Sequence, residues 1–136
     1  MAAMISSRGR YALRILADLA GQEPGAFVPL KDVSARQGIS PKYSESIMAA
    51  LSKGGLVEGI HGKGGGYRLT RSPKDCTLAE VLLLTEGSLA PVACLEGGTR
   101  CEHPCSTLPV WEKLERLVTD YLESVTLADL LQQKNM

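Results

Sequence analysis

Four consecutive residues, Gly38-Ile39-Ser40-Pro41, constrain this chain more than any other stretch. A glycine suits the left-handed position that closes a helix. Two residues later, Ser40 is an N-cap and Pro41 a first helical residue, because proline lacks an N–H that the first turn would leave unpaired. One helix therefore has to end, and another begin, within a few residues. Upstream, residues 30–37 form a short amphipathic helix. Downstream, a second helix runs to about Lys53, where Gly54-Gly55 stops it. A short helix, a glycine-containing turn and a second capped helix make the helix-turn-helix pattern.

The flanking segments fit that frame. In SSRGRYALRILADLAGQEPG, Ser6 and Ser7 are candidate N-caps and Ala12, Ile15, Leu16 and Leu19 recur at helical spacing, until Gly21 and Pro24 end the run. After the second helix, LVEGI and YRLT alternate apolar and polar residues and are joined by HGKGGG, which predicts a hairpin with a glycine-rich tip. The expected fold is mainly α with a small β-hairpin: a winged helix-turn-helix DNA-binding domain followed by a C-terminal dimerisation helix. The alternative is a small helical domain with a hairpin and no role on DNA. The glycines are not a nucleotide-phosphate loop, since HGKGGGYRL lacks the GxxxxGK[ST] spacing and a strand follows it instead of a helix.

In the candidate recognition helix, SPKYSESIMAALSKGG, Ile47, Ala50 and Leu51 are the expected inward stripe. Ser40, Lys42, Tyr43, Glu45 and Ser46 then lie on the exposed N-terminal turns, the part of such a helix that meets base edges in the major groove. Ser, Lys and Tyr can donate to phosphates or bases, and Glu45 can accept from a cytosine amino group. The structural alternatives are that Tyr43 packs over the turn and Glu45 is a solvated helix residue. At the hairpin tip, His61, Gly62 and Lys63 are candidates for the minor groove, where glycine allows close backbone approach.

Charge is divided along the chain. Through Asp75 there are eleven Lys and Arg against six Asp and Glu; from Cys76 onward there are four against nine, so the net charge is zero. A basic half fits a nucleic-acid-facing part, 1–75. It is joined to a connecting helix and cysteine-containing loop, 76–108, and to a dimerisation helix with the C-terminal segment, 109–136. No apolar run approaches the roughly 20 residues of a membrane span, and no secretory leader pattern opens the chain. A cytoplasmic protein is expected, with no membrane partner. No nucleophile–base pair or nucleotide motif is present, so an enzyme is not expected.

The segment CLEGGTRCEHPC carries Cys94, Cys101 and Cys105 at x6 and x3 spacing, with His103 between the last two. In a reducing compartment clustered cysteines serve as ligands or redox thiols more often than as disulfides. Iron–sulfur and Cys3His zinc ligation accept the same residue types, and spacing does not choose between them. Cys76 stands apart and is expected to pack at a helix start. From about Pro109 the chain turns helical, with Trp111, Leu114, Val118, Tyr121 and Val125 at spacings of 3, 4, 3 and 4. That seam is expected either to bury against a second copy or to pack on its own domain. A homodimer would present two recognition helices to a near-palindromic double-stranded DNA operator. Thr126 is expected to cap a last short helix.

These segments, in order from about Met4 to Leu131, resemble the IscR-type regulators of the Rrf family of bacterial winged-helix transcription factors. The most specific matches are the ISxxYxExI-like recognition helix and the GxGGGY wing. The resemblance implies DNA contacts from Ser40, Lys42, Tyr43 and Ser46, with Glu45 sorting between operator classes and the wing tip entering the minor groove. The best-known member has an arginine at the position of His61; Lys63 is the substitute here. The resemblance also implies an iron–sulfur cluster on Cys94, Cys101 and Cys105, two-iron rather than four-iron. Where that member has a fourth, histidine ligand this chain has Leu108, and the carboxylate that other members recruit near the first helix has no counterpart between Met4 and Ala17. His103 is the nearest imidazole and the preferred fourth ligand. The expected function is a dimeric regulator sensing iron–sulfur status, redox state or nitric oxide. The alternatives are a cluster-free regulator controlled by thiol redox or by a partner enzyme of cysteine metabolism, and a small metal-binding adaptor without DNA activity.

Overall fold

The periodicity of the first helix places apolar side chains toward several neighbours at once, and the fold is arranged around it. A computed structural model describes residues 5–95 and 105–132. In it, α1 (Ser7–Ala20) is followed by α2 (Leu30–Gln37), α3 (Pro41–Lys53), the antiparallel pair β1 (Val57–Ile60) and β2 (Gly66–Leu69), α4 (Leu78–Glu86), α5 (Leu108–Ser124) and α6 (Leu127–Gln132). Short 3-10 turns at Pro73–Asp75 and Ala93–Leu95 flank α4. Helix α1 packs against α2, α3, α4, α6 and β2, and its Ala12, Ile15 and Leu16 are fully buried.

The helix ends follow the capping chemistry. Ser6 Oγ accepts from the Gly9 N–H, Ser40 Oγ accepts from the Tyr43 N–H, and Gly38 closes α2 in the left-handed region with φ 66°. Thr77 and Glu80 form a reciprocal capping box at the start of α4. Thr126 Oγ1 accepts from the Asp129 N–H at 3.3 Å, and Asp129 Oδ2 accepts from the Thr126 N–H at 2.9 Å, so Thr126 caps α6 as expected.

Polar contacts fix how the helices cross. Asp18 on α1 accepts from Arg36 Nη2 at 2.7 Å and from Gln37 Nε2 at 2.8 Å, which holds α2 in place. At the other end of α1, Glu86 Oε1 accepts from the Ser6 N–H at 3.0 Å and from Ser6 Oγ at 2.6 Å, pinning the last residue of α4 to the first cap. The segments preceding α4 and α6 pair as an isolated antiparallel bridge, Thr77 with Thr126. There the Leu78 N–H donates to the Val125 carbonyl at 2.9 Å and the Leu127 N–H to the Cys76 carbonyl at 3.0 Å. Cys76 is buried at this point, and its burial pushes the thiol pKa up.

Two expected details differ. The inward stripe of α3 is Ser44, Ile47, Met48 and Leu51, spaced i, i+3, i+4 and i+7, while Ala50 is only half-buried at its side. A small residue that continues a plausible stripe is not distinguishable from its neighbour by polarity alone. On α5 the row left exposed is Val110, Leu117 and Tyr121, at 58%, 57% and 66%, joined by half-buried Leu114. Trp111 and Val118 are half-buried, and Val125 lies beyond the helix as its extended C-cap. The apolar face of α5 is wider than one seam, because Leu122 and Val125 pack on the protein's own core.

The hydroxyls of Ser34 and Ser44 are buried without a hydrogen-bond partner among the described residues. Such a group costs about 1–3 kcal/mol, and alanine is the better helix former by about 0.5 kcal/mol. Ser44→Ala is therefore expected to stabilise the fold by about 1 kcal/mol. Urea denaturation would show this as a higher midpoint with an unchanged slope. A lower midpoint would mean that the hydroxyl has a partner after all.

Candidate nucleic-acid interface and cysteine segment

With Ser44, Ile47, Met48 and Leu51 turned inward, the opposite side of α3 is fixed. Lys42, Glu45, Ser46 and Ala49, again at i, i+3, i+4 and i+7, form an exposed stripe. Ser40 is exposed just before it as the cap. Tyr43 sits at the flank, half-buried, its ring meeting the Tyr11 ring edge-on with centroids 5.8 Å apart. Arg14 lies over the same Tyr11 ring at 5.4 Å. The packing alternative for Tyr43 is thus the position of its ring, while its hydroxyl makes no hydrogen bond among the described residues.

Ser46 is engaged in a way the sequence does not announce. Arg8, on the first turn of α1, donates from Nη1 to Ser46 Oγ at 3.1 Å and from Nη2 to the Ser46 carbonyl at 3.2 Å. Residues one turn apart on α1, Arg8 and Tyr11, hold residues one turn apart on α3, Ser46 and Tyr43, in opposite order. The available signal was electrostatic. The first turn of α1 has no acidic residue but carries Arg8 and Arg10, and cations are disfavoured at a helix N-terminus. A local rule broken in this way points to a task elsewhere.

The wing stands beside this helix because of a third backbone segment. Val28, between α1 and α2, donates its N–H to the Tyr67 carbonyl at 2.8 Å and accepts from the Tyr67 N–H at 2.9 Å. Gly66 passes so close to the Val28 carbonyl and Pro29 that a Cβ there would collide with backbone, and its φ of 152° excludes other residues as well. Cross-strand pairing of Glu58 with Arg68 is reinforced by an ion pair of 2.7 Å, and Arg68 stacks over Phe27 at 4.3 Å. Beyond Ile60 the tip turns through Gly62 and Gly64, both at positive φ, with the Gly65 N–H donating to the Gly62 carbonyl at 3.0 Å. His61, Gly62 and Lys63 are all exposed on it.

Of the cysteine segment, Cys94 lies half-buried in the 3-10 turn Ala93–Leu95, and Cys105 is exposed just before α5. Neither is in a disulfide among the described residues. Cys101 and His103 lie outside the described residues. Thr107 links Cys105 to α5: its Oγ1 accepts from Trp111 Nε1 at 3.2 Å and lies 3.0 Å from Cys105 Sγ. With the indole N–H occupying one lone pair, the hydroxyl proton is free to face the sulfur. The Thr107 side chain, then its backbone, lowers the Cys105 pKa from the ordinary thiol value. Against a Cys105 thiolate, which can only accept, Thr107 Oγ1 is the donor.

A capped helix with an exposed polar stripe, braced by a first helix and flanked by a glycine-tipped hairpin, defines a winged-helix DNA-binding regulator of transcription. The chain belongs to the Rrf2 family, whose model, described as an iron-dependent transcriptional regulator, matches residues 5–133. It is 35% identical over 137 residues to the HTH-type transcriptional regulator IscR of Vibrio vulnificus, covering 97% of this chain and 79% of that protein. Among solved structures it is similar to T. potens IscR, with a TM-score of 0.76 and 34% identity over 95% of this chain and 86% of that one. It is also similar to CymR, the global cysteine regulator of B. subtilis, with a TM-score of 0.82 and 32% identity over 98% and 99% of the two chains. Among the described residues no helix is long and apolar enough to cross a membrane.

Proposed function

We propose that this protein is a homodimeric, IscR-like regulator that reads a near-palindromic DNA operator with α3 and the wing and senses through its cysteine segment. The observation that carries the DNA reading is the Lys42-Glu45-Ser46-Ala49 stripe, exposed on a helix whose other face is committed to the core. Ser40, Lys42, Tyr43 and Ser46 supply donors, Glu45 an acceptor, and His61, Gly62 and Lys63 approach the minor groove. Lys42 lies on the first turn of α3, where no acidic side chain competes with a phosphate. Lys42→Ala is expected to weaken binding across sequences and to reduce the slope of log affinity against log salt by about one. An unchanged slope and affinity would remove this helix from the groove.

The proposed ligands of an iron–sulfur cluster are Cys94, Cys101 and Cys105, with His103 as the fourth. The donor chemistry fits: Cys94 and Cys105, neither in a disulfide, stand at the two ends of the segment that carries Cys101 and His103, and the Thr107 hydroxyl lies 3.0 Å from the Cys105 sulfur. When bound, the cluster supplies a redox- and iron-responsive group whose potential depends on hydrogen bonds to its sulfurs. Protein purified without oxygen is expected to be coloured and to contain matched iron and acid-labile sulfide. Cys94→Ala, Cys101→Ala or Cys105→Ala should abolish the colour, and Cys76→Ala should leave it, since that thiol is buried. His103→Ala should alter the spectrum or the lability of the cluster. Trp111, the one tryptophan of the chain, is one hydroxyl away from Cys105, so its fluorescence should fall on loading.

The similarity to a regulator named for cysteine supports a second reading, in which the thiols act without a cluster. Colourless, sulfide-free protein whose DNA affinity changes on thiol oxidation would decide for it. Stoichiometric zinc without sulfide would defeat the cluster as well.

Dimerisation is proposed to use α5. None of its residues is buried, and Val110, Leu117 and Tyr121 leave an apolar row facing water. Leu117→Glu combined with Tyr121→Glu is expected to give monomers in sedimentation with helix content unchanged. A full-strength dimer would place the interface elsewhere.

A further inference from the structure

We infer that Arg8 is a positioning residue for base reading, fixing the Ser46 hydroxyl as a hydrogen-bond donor toward the DNA. The inference rests on the proposal that the exposed stripe of α3 enters the major groove. A serine hydroxyl rotates freely and offers either a donor or an acceptor, so alone it discriminates poorly between base edges. Here Ser46 Oγ accepts from Arg8 Nη1 at 3.1 Å, while Nη2 of the same guanidinium holds the Ser46 carbonyl at 3.2 Å. The planar fork grips side chain and backbone of one residue together, which fixes the geometry as a single ammonium could not. With one lone pair taken by a cation, the hydroxyl proton is turned away from Arg8. Ser46 makes no bond back to the Lys42 carbonyl, the usual outlet for a helical serine. The proton therefore faces out along the exposed stripe. An outward donor matches guanine N7 or O6, adenine N7 or thymine O4, and it is mismatched to the cytosine amino group. Glu45 next to it is the complementary acceptor, so adjacent positions on α3 present opposite polarities.

A bystander role for Arg8 predicts different behaviour from a positioning role. As a plain phosphate contact it would be replaceable by lysine, and its loss would add to that of Ser46. As a brace for the fold it would alter thermal stability. The hydrogen bonds are exposed, so their contribution to stability is small.

The test uses the full chain and a duplex selected by the wild-type protein from a random-sequence library. Affinity is measured for wild type, Arg8→Met, Arg8→Lys, Ser46→Ala, the Arg8→Met/Ser46→Ala double variant and Lys42→Ala. Arg8→Met and Ser46→Ala are each expected to lose about tenfold, the scale of one specific base contact. The double variant should be no weaker than Arg8→Met alone beyond about twofold, because the two residues act as one unit. Arg8→Lys should not restore binding, and thermal midpoints should match wild type. Repeating the selection with Arg8→Met should erase preference at the same base position in each half-site as with Ser46→Ala. Additive losses, rescue by lysine, or an unchanged selected sequence with Arg8→Met would each overturn the inference while leaving α3 in the groove. If Lys42→Ala and Ser46→Ala both bind as wild type, the α3 reading itself fails and takes this inference with it.

Discussion

Complete burial of one side of α1 against four helices and a strand is the constraint on which the rest of the molecule depends. Ile15 and Leu16 have no exposed surface, and each contributes about 1.5–3 kcal/mol by leaving water. The energetic weight of these side chains is shared among all the elements they touch. The same helix orients α3, because the Arg8–Ser46 and Tyr11–Tyr43 contacts set its direction as well as its distance. A helix that is central by packing thereby becomes central to presentation.

The wing uses a different principle. Two strands of four residues would be marginal alone in water. Val28 adds a backbone partner at Tyr67, and Thr70 Oγ1 donates to the Gly55 carbonyl at 2.7 Å at the open end. The base of the hairpin is therefore held at both ends, and at the tip Gly62 and Gly64 face open space. Support at the base and open space at the tip are the arrangement of a loop carried on a fixed scaffold.

Local chemistry was legible in the sequence, and long-range partnership was not. Gly38, Ser40 and Pro41 marked both boundaries of the turn, because capping acts within a few residues of the atom it satisfies. The burial of Ala12, Ile15, Leu16 and Leu19 followed from period alone. By contrast, the pairing of Val28 with Tyr67 joins residues far apart by plain backbone groups, which leave no mark in residue type. Ser6 with Glu86 and Arg8 with Ser46 are ordinary surface residues until the fold brings them together. On α3, Met48 is fully buried and Ala50 only half-buried, although both are apolar and lie at similar angles on opposite flanks of the Ile47–Leu51 line. In the cysteine segment, the thiol spacing is written in the sequence, whereas the Thr107 bridge between Cys105 and Trp111 arises from how the chain enters α5.

The Thr77–Thr126 bridge has a topological consequence. From this bridge the chain runs through α4, which packs on α1, then the cysteine segment and α5, and returns to the same bridge before α6 packs on α1. Residues 78–125 are thus an excursion with a common point of exit and entry. The closure entropy of such a loop grows only logarithmically, about 0.6 kcal/mol for each doubling of its length. Residues can be gained or lost between Gly87 and Thr107 without shifting the register of the head, since neither end of the excursion has to move. In a lineage of such proteins, the cysteine segment is free to change length and residue types while the DNA-binding head stays fixed.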